Sequence, residues 1–494
     1  MAAKVRATAS TTIWRSSTCA RGDSLDLFIF IGCLDGVQED MLSTLEEADR
    51  RHYFHPGTHA FDHASGALPP LIVDRASGIR LTDVEGREYI DGFAGLYCVN
   101  VGYGREEIAV RIAEQCKRLS YYHSYQGAGH APAIELSQRL IEQWAPPGMI
   151  KVYYGMSGSD ANETQIKLVW YYNNILGRPN KKKIIARDRA YHGSGIVTGG
   201  LTGLPVYHAN FDAPFDRVIR AMCPDYYRRP DPAMSEARFT EQCVAELEAL
   251  IEREGADTIA AFIAEPMNGT GGIVPPPAGY WPAVQALLRR HDILLIADEV
   301  VCGFGRLGAR TGCERFGIAP DLVTFAKGLT SGYAPLSAVV VGEAFWDVLM
   351  RGSREQGMMG HGWTYSGHPL GAAAALANLD IIEREGLVQN AGDVGGYLLE
   401  RLRATLGTHH AVGDIRGVGM MLAVELMRDP AARERFPADQ RINARVVAAA
   451  RERGLLIRAL GTDIVGFAPP LITTHDDADE IVSRMAAALD EVLS

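Results

Sequence analysis

From about Ile150 onward the chain alternates short apolar strands with amphipathic helices, and this alternation constrains the fold more than any other feature. "IKVYY", "KKIIARD", "TIAAFIAEP", "ILLIADEV", "LVTFA" and "LSAVVVG" read as strands, and "DANETQIKLVWYYNNIL" and "YWPAVQALLRRHD" as helices. Several of the strands are apolar at successive positions, not only at alternate ones. Such a strand is stable only when both of its faces are covered, as happens in a sheet with helices on either side. The pattern predicts an α/β fold with a mainly parallel central sheet flanked by helices. With 494 residues, 47% hydrophobic and 22% charged, the chain has the material for a sizeable core.

The flanks read differently. "VDRASGIRLTDVEGREYIDGFAG" predicts short strands with Gly turns, and "EEIAVRIAEQCKRLS" an amphipathic helix. After about His368 come long helices, beginning with "PLGAAAALANLDIIEREG", and then a mixed tail with a few strands. We expect residues 41–97 and 367–494 to build a smaller α+β domain around a large domain over 98–366. Residues 1–22 are rich in Ser, Thr, Ala and Arg, and the apolar run "LDLFIFIGC" follows. Asp23 and Asp26 interrupt the layout of a signal peptide. We expect a disordered extension or a start-site artefact there, with Met41 as the natural beginning.

The formal charge of −11 argues against a general nucleic-acid binder, and no Lys/Arg stripe reverses it. "KKK" at Lys181–Lys183 reads as a solvated turn. The eight cysteines form no C-x-x-C pair, and no His/Cys cluster has zinc-finger spacing, so no metal is expected. Free thiols in a reducing compartment are the simplest reading, which makes the expected location cytoplasmic. No stretch of about 20 apolar residues is present, so no membrane span is expected.

The chemistry lies at the strand ends. In "ILLIADEVVCGFGR", Asp298 and Glu299 follow an apolar strand, and ligands of open α/β sheets bind beyond the carboxyl ends of strands. A carboxylate there is a metal ligand, a general base, the partner of a cationic ring nitrogen, or merely a helix cap. Lys327, 29 residues on from Asp298, closes another strand in "DLVTFAKGLTSGYAPL". A lone lysine at a strand end is ordinarily a snorkelling one. Lysine and aspartate together are what pyridoxal phosphate (PLP) needs: an amine for its aldehyde, and a carboxylate that keeps the pyridine nitrogen protonated. "YYGMSGSDANE" offers the phosphate a seat, with Ser157, Gly158 and Ser159 at a helix start. Ser157-x-x-Asp160 also reads as a capping box. In "RAYHGSG", Tyr191 and His192 follow a strand, where an aromatic can stack on a cofactor ring, and Val300 can pack on the other face.

"SGSDANE", "AYHGSG", "AEPMNGTGG", "LLIADEVVCGFGR", "DLVTFAKGLTSGYAPL" and "HGWTYSGHPLGAAAALANL" occur in an order and spacing that resembles the class III (ω-) aminotransferases, PLP enzymes of fold type I. The resemblance runs from about Leu45 to the C-terminus and leaves out residues 1–40. It implies that Lys327 holds the cofactor as a Schiff base and shuttles the substrate proton, and that Asp298 pairs with the pyridine nitrogen. It further implies that Gly158 and Ser159 hold the phosphate, that Tyr191 and Val300 sandwich the ring, and that Glu265 sets the pocket's charge. Thr364 is implied to reach the phosphate of a neighbouring subunit, which makes the enzyme a homodimer, or a tetramer, with interfacial active sites.

Tyr97 stands where many amine:pyruvate members of the family carry a tryptophan, so a strict aryl-amine preference is not implied. The resemblance brings Tyr122 or Tyr125 toward the pocket and puts Arg458 at the family's mobile arginine, whose fork binds a carboxylate. The implied reaction is ping-pong transamination from a primary amine or ω-amino acid to a 2-oxo acid, pyruvate before 2-oxoglutarate, with (S) preference. An aminomutase or decarboxylating aminotransferase of the same fold, and a silent PLP-binding regulatory protein, are the alternatives. A nicotinamide-dependent oxidoreductase would need G-x-G-x-x-G after an early strand, and the sequence lacks that unit.

Overall fold

The computed structural model describes residues 44–212 and 216–494, so the expectation for residues 1–40 lies outside the described residues. The chain divides into two compact units. The smaller comprises residues 44–73 and Asp83–Glu85. In it, residues 44–52 are helical, and a second helix, Ala60–Ser65, is capped by His59 and ended by Gly66 at φ 80°. That left-handed conformation is one glycine adopts without steric cost.

Strands β1 (Val73–Ser77), β2 (Arg80–Asp83) and β3 (Glu88–Asp91) are the short strands read between the Gly turns. The central sheet follows: β4 (Met149–Gly155), β5 (Lys183–Arg187), β6 (Val218–Ala221), β7 (Ile259–Ala264), β8 (Leu294–Asp298), β9 (Leu322–Phe325) and β10 (Ser337–Gly342). Their order across the sheet is β4-β10-β9-β8-β7-β5-β6. From β9 to β6 every neighbour is parallel, while β10 runs antiparallel to both β4 and β9. The reversal follows from the connection. No long crossover helix separates β9 from β10, and a parallel return needs one. β6 is a short edge strand whose residues are mostly half-buried, so it carries no apolar run to announce it.

β7 shows why this sheet is parallel. All its residues are buried; Phe262 and Ala264 join the core on one face, and Ala261 and Ile263 the core on the other. One core is closed by helices Glu236–Glu254 and Tyr280–Arg290, the other by Gly158–Ile175 and Glu343–Gln356. Cutting Phe262 back to alanine should cost about 3–5 kcal/mol. The expectation of a solvated "KKK" turn fails at Lys181. That side chain is buried, and its Nζ donates to the Asp292 carbonyl at 2.5 Å while lying 3.6 Å from the Asp292 carboxylate.

The C-terminal part adds β11 (Val412–Val418), β12 (Met421–Leu426), β13 (Leu455–Leu456), β14 (Arg458–Leu460) and β15 (Ile464–Phe467). Four of them form an antiparallel sheet, β11-β12-β15-β14. β13 instead pairs parallel with β3, Leu455 opposite Ile90, so the tail completes a sheet begun near the N-terminus. Among the described residues no helix is long and apolar enough to cross a membrane.

Candidate active site

The parallel strands end along one rim, and a cavity of about 380 Å³ opens there. Asp298 is the last residue of β8, Glu265 follows β7, and Lys327 stands two residues beyond β9. All three line the cavity, with Ser157, Gly158 and Ser159 from the helix start after β4, and with Tyr191 and His192 from the loop after β5. Tyr97, Val300 and Arg458 line it as well.

Lys327 opens a short 3-10 turn at φ 46°, a left-handed conformation that costs a side chain about 1 kcal/mol or more. The half-buried side chain places Nζ 5.7 Å from the centroid of the Tyr97 ring. Burial holds the ammonium below the ordinary lysine range, which favours the neutral amine.

Asp298 is only 2% exposed. Its Oδ2 accepts the Asn162 amide at 2.8 Å and the His192 Nδ1–H at 2.8 Å, and its Oδ1 accepts the Val300 N–H at 3.1 Å. Asn162 is fixed in turn, because its Oδ1 accepts the Thr324 hydroxyl at 2.6 Å and its amide also donates to the His192 carbonyl at 2.9 Å. The carboxylate is held on both oxygens by groups that are themselves held. Glu299, one residue on, turns the other way. It accepts the N–H groups of Gly312 at 2.8 Å and Cys313 at 2.5 Å at the start of helix Gly312–Phe316. The cap and the site, alternatives for one carboxylate in the sequence, are divided between the two.

The capping reading of "SGSD" holds, and the same helix start borders the cavity. Ser157 caps helix Gly158–Ile175, accepting the Asp160 N–H at 3.2 Å while Asp160 accepts the Ser157 N–H at 3.1 Å. The amides of Gly158 and Ser159 precede that cap bond, in the first turn, where a helix supplies no carbonyl partner. A Cβ on Gly158 would lie 3.0 Å from a Val300 methyl, so glycine lets the helix start close onto the Val300 side of the cavity. Ser159 Oγ accepts the Ser194 N–H at 3.2 Å and ties the Tyr191 loop to that helix start.

Glu265 is buried; its Oε1 accepts the Tyr191 N–H at 3.3 Å, and its Oε2 has no hydrogen-bond partner and lies 4.0 Å from Arg187. Burial raises its carboxyl to about 7, against the pull of His192 and Arg187. Tyr97 sits at φ 60°, in a turn with Ala94 at φ 47° and Gly95 at φ 64°, and its hydroxyl is buried without a partner. Arg458 begins β14, its guanidinium 5.9 Å from the Phe93 ring centroid, and it makes no ion pair among the described residues. It is a cation held on an aromatic face at the edge of the cavity.

Thr364, Tyr122 and Tyr125 stand apart. None lines the cavity of this chain; Thr364 is exposed, and Tyr122 and Tyr125 are 52% and 44% exposed. Sequence reasoning missed Asn162, Cys98 and Tyr207, the last with its ring 5.3 Å from that of Tyr191. Asn162 had a readable signal. It lies four residues after Gly158, on the same helix face, and that face opens on Asp298.

The Aminotransferase class-III family profile matches residues 60–489. Diaminobutyrate–2-oxoglutarate transaminase of Halomonas elongata is 55% identical over 451 residues, covering 91% of this chain and 96% of that protein. Mitochondrial gamma aminobutyrate transaminase 1 of Solanum lycopersicum is 41% identical, covering 86% and 82%. Among solved structures, the ω-transaminase of Pseudomonas jessenii in complex with PMP superposes with a TM-score of 0.88 at 41% identity, covering 91% of this chain and 98% of that one. With the mainly parallel sheet and its strand-end lysine and aspartate, these similarities establish that the chain belongs to the class III aminotransferases and is a PLP-dependent transaminase of fold type I.

Proposed function

We propose that this enzyme moves an amino group from a primary amine or ω-amino acid to pyruvate by a ping-pong reaction, and that it does so as a homodimer. The observation that carries the reading is the meeting of Lys327 and Asp298, from the ends of neighbouring strands, in one cavity. The bound cofactor supplies an aldehyde that exchanges amines and a ring that accepts electrons. The residues present fit it: an amine for the aldehyde, a fixed carboxylate for the ring nitrogen, and a glycine-opened helix start for the phosphate.

In this reading Lys327 Nζ anchors the cofactor, and once released takes the substrate's Cα proton. Its lowered basicity suits both tasks. Asp298 keeps the ring nitrogen protonated, and His192 and Asn162 hold Asp298 in the geometry for it. Gly158 and Ser159 bind the phosphate with their amides, beside the Ser157 cap. Tyr191 and Val300 cover the ring. Arg458, with no carboxylate of its own, takes the carboxylate of the oxo acid. Tyr97 shapes the amine side of the pocket.

The dimer is supported by residues 121–125 and 358–368. These segments are ordered by hydrogen bonds, Tyr121 to the Thr364 carbonyl at 2.7 Å and Ser124 to the Ser366 carbonyl at 2.8 Å. Yet they expose Tyr122, Tyr125, Tyr365 and Met358, and such a patch on a fixed surface is characteristic of an interface. We place Thr364 on the phosphate of the partner subunit and Tyr122 or Tyr125 at its pocket. We assign the enzyme to the cytoplasm on its unpaired cysteines. We take residues 98–366 as the cofactor domain, with 41–97 and 367–494 as the second.

A two-stage absorbance titration of the PLP form tests the reaction. Amines are added singly and loss of the cofactor–lysine band is followed; pyruvate or 2-oxoglutarate is then added. Bleaching by a carboxylate-free amine with recovery on pyruvate is the expected result. Recovery on 2-oxoglutarate alone would overturn the acceptor, and bleaching by no donor the reaction.

A further inference from the structure

The smaller unit carries three side chains that the transamination does not use. Asp49 projects from helix 44–52, His55 from the loop after it, and His63 from helix Ala60–Ser65. Both imidazoles turn the same nitrogen onto the one carboxylate: His55 Nε2 is 2.9 Å from Asp49 Oδ1, and His63 Nε2 is 2.8 Å from Asp49 Oδ2. One ligand-type atom from each residue lies within 4.8 Å of the others, and among the described residues no other three His, Cys, Asp or Glu side chains converge so. From this convergence we propose that Asp49, His55 and His63 bind one divalent transition-metal ion, of which zinc is the best fit.

The donor set selects the class of ion. Two imidazoles and a carboxylate suit zinc, whereas calcium and magnesium take oxygen ligands and sites selective for copper(I) use sulfur. The two histidine–aspartate distances are nearly those required, and the two histidine nitrogens lie within 4.8 Å of each other. Ligand bonds of about 2.0–2.1 Å in a tetrahedron set neighbouring donor atoms about 3.3 Å apart. Opening the observed contacts by a few tenths of an ångström is within ordinary side-chain freedom. In the metal-free protein each Nε2 keeps a proton and donates it to Asp49. On binding, the ion takes the Nε2 position of each ring, and each ring's proton is carried by Nδ1 instead, so the imidazoles bind as neutral ligands with no net proton release.

Access and charge also fit. A surface cavity of about 230 Å³ borders His55 and His63, giving the ion a route in and a water room for the fourth position. The nearby cations are paired, Arg50 to Glu46 at 3.0 Å and Arg51 to Glu47 at 3.5 Å. His63 is buried and Asp49 and His55 are half-buried, so three ligands from two helices and their connecting loop are already gathered. The ion would cross-link helix 44–52 to helix Ala60–Ser65 through that loop. The spacing Asp49-x5-His55-x7-His63 matches no familiar zinc motif, which is why the sequence alone does not announce it.

The test uses the full-length, PLP-loaded protein without an affinity tag, stripped with a chelator and desalted. Zinc is titrated against a chromophoric chelator, and wild type is compared with His55→Gln, His63→Gln and Asp49→Asn. The expected result is one tight equivalent per chain in wild type, weakened in each variant beyond the about 10–100-fold that loss of an outer-shell partner brings. Protection of residues 53–59 from limited proteolysis by zinc, in wild type only, is the second expected readout. His55→Gln, at the half-exposed ligand, keeps the test decisive if His63→Gln misfolds. Absence of a tight equivalent in wild type, or its survival in folded His55→Gln, would overturn the site.

Discussion

The strand-end rim and the exposed segments 121–125 and 361–368 were marked by the same family resemblance, yet the chain treats them differently. At the rim, residues from distant parts of the sequence meet in one cavity, and Asp298 has both oxygens fixed. In the exposed segments Thr364, Tyr122 and Tyr125 are ordered and exposed, and none of them lines the rim cavity. The difference teaches that one chain gathers the chemical half of the site by itself, whereas the proposed role of the exposed segments depends on the proposed dimer. Chemistry requires groups held to fractions of an ångström, which only a packed core supplies. Phosphate and substrate contacts tolerate delivery across an interface.

Breaking the rim should have the largest effect. Lys327→Ala removes anchor and base together and should lower turnover by about 10⁴-fold, since general base catalysis alone contributes about 10²–10⁴. The protein should stay folded and bind PLP non-covalently, shown by loss of the cofactor–lysine absorbance band with retained secondary structure. A variant that kept turnover would remove Lys327 from the mechanism. One shell back, Asn162→Ala deletes a bond to Asp298 without touching the carboxylate. Loss of a hydrogen bond to a charged group is worth about 1.5–3 kcal/mol, so kcat should fall about 10–100-fold. A purely structural asparagine would instead lower Tm and leave kcat unchanged, and that split decides its role.

Most of the rim was legible in the sequence because its residues follow apolar runs directly. Asp298 closes β8 and Lys327 stands just beyond β9, strands whose hydrophobicity declares them, and a parallel sheet puts both ends on one side. The helix start at Gly158 was equally plain from its capping box. What escaped is what depends on contacts distant in sequence. The reversal of β10 is set by the length of a connection, and β6 is too polar to stand out. Tyr97 has three left-handed residues at or near it, which no composition announces. Lys181 reads as surface charge, but the Asp292 carbonyl satisfies it inside. Asn162 looked like one more polar helix residue, because its partner, Asp298, is 136 positions away.

The exposed segments sharpen the contrast from the other side. If Thr364 serves the partner's phosphate, Thr364→Ala should weaken PLP binding about 10-fold without altering the fold of the isolated chain. Fluorescence titration of the cofactor-free enzyme measures this. An unchanged affinity would mean that one chain holds the phosphate unaided. A heterodimer of Thr364→Ala with Lys327→Ala is more searching. The one site with an intact lysine lies on the Thr364→Ala chain, so it keeps a threonine if the residue crosses the interface and lacks one if it does not.

The smallest effect lies one residue behind the rim. Burial raises the Glu299 carboxyl from its ordinary 4.5 to about 7, despite two backbone N–H groups that favour its charged form. Between those two values the folded chain keeps a proton that the unfolded chain has lost. Stability contributed here is therefore greatest below about pH 4.5 and declines as pH rises toward 7, by about 1 kcal/mol per pH unit at most. Glu265 contributes with the same sign, also through burial. Glu299→Gln cannot release the proton, so urea midpoints measured from pH 5 to 7 should fall less steeply than in wild type. The absolute midpoint should also drop, because glutamine offers one acceptor oxygen where Glu299 uses two. The slope isolates the titration from that loss: a slope equal to wild type would mean that Glu299 is already ionised in the folded chain, its charge held by the amides of Gly312 and Cys313.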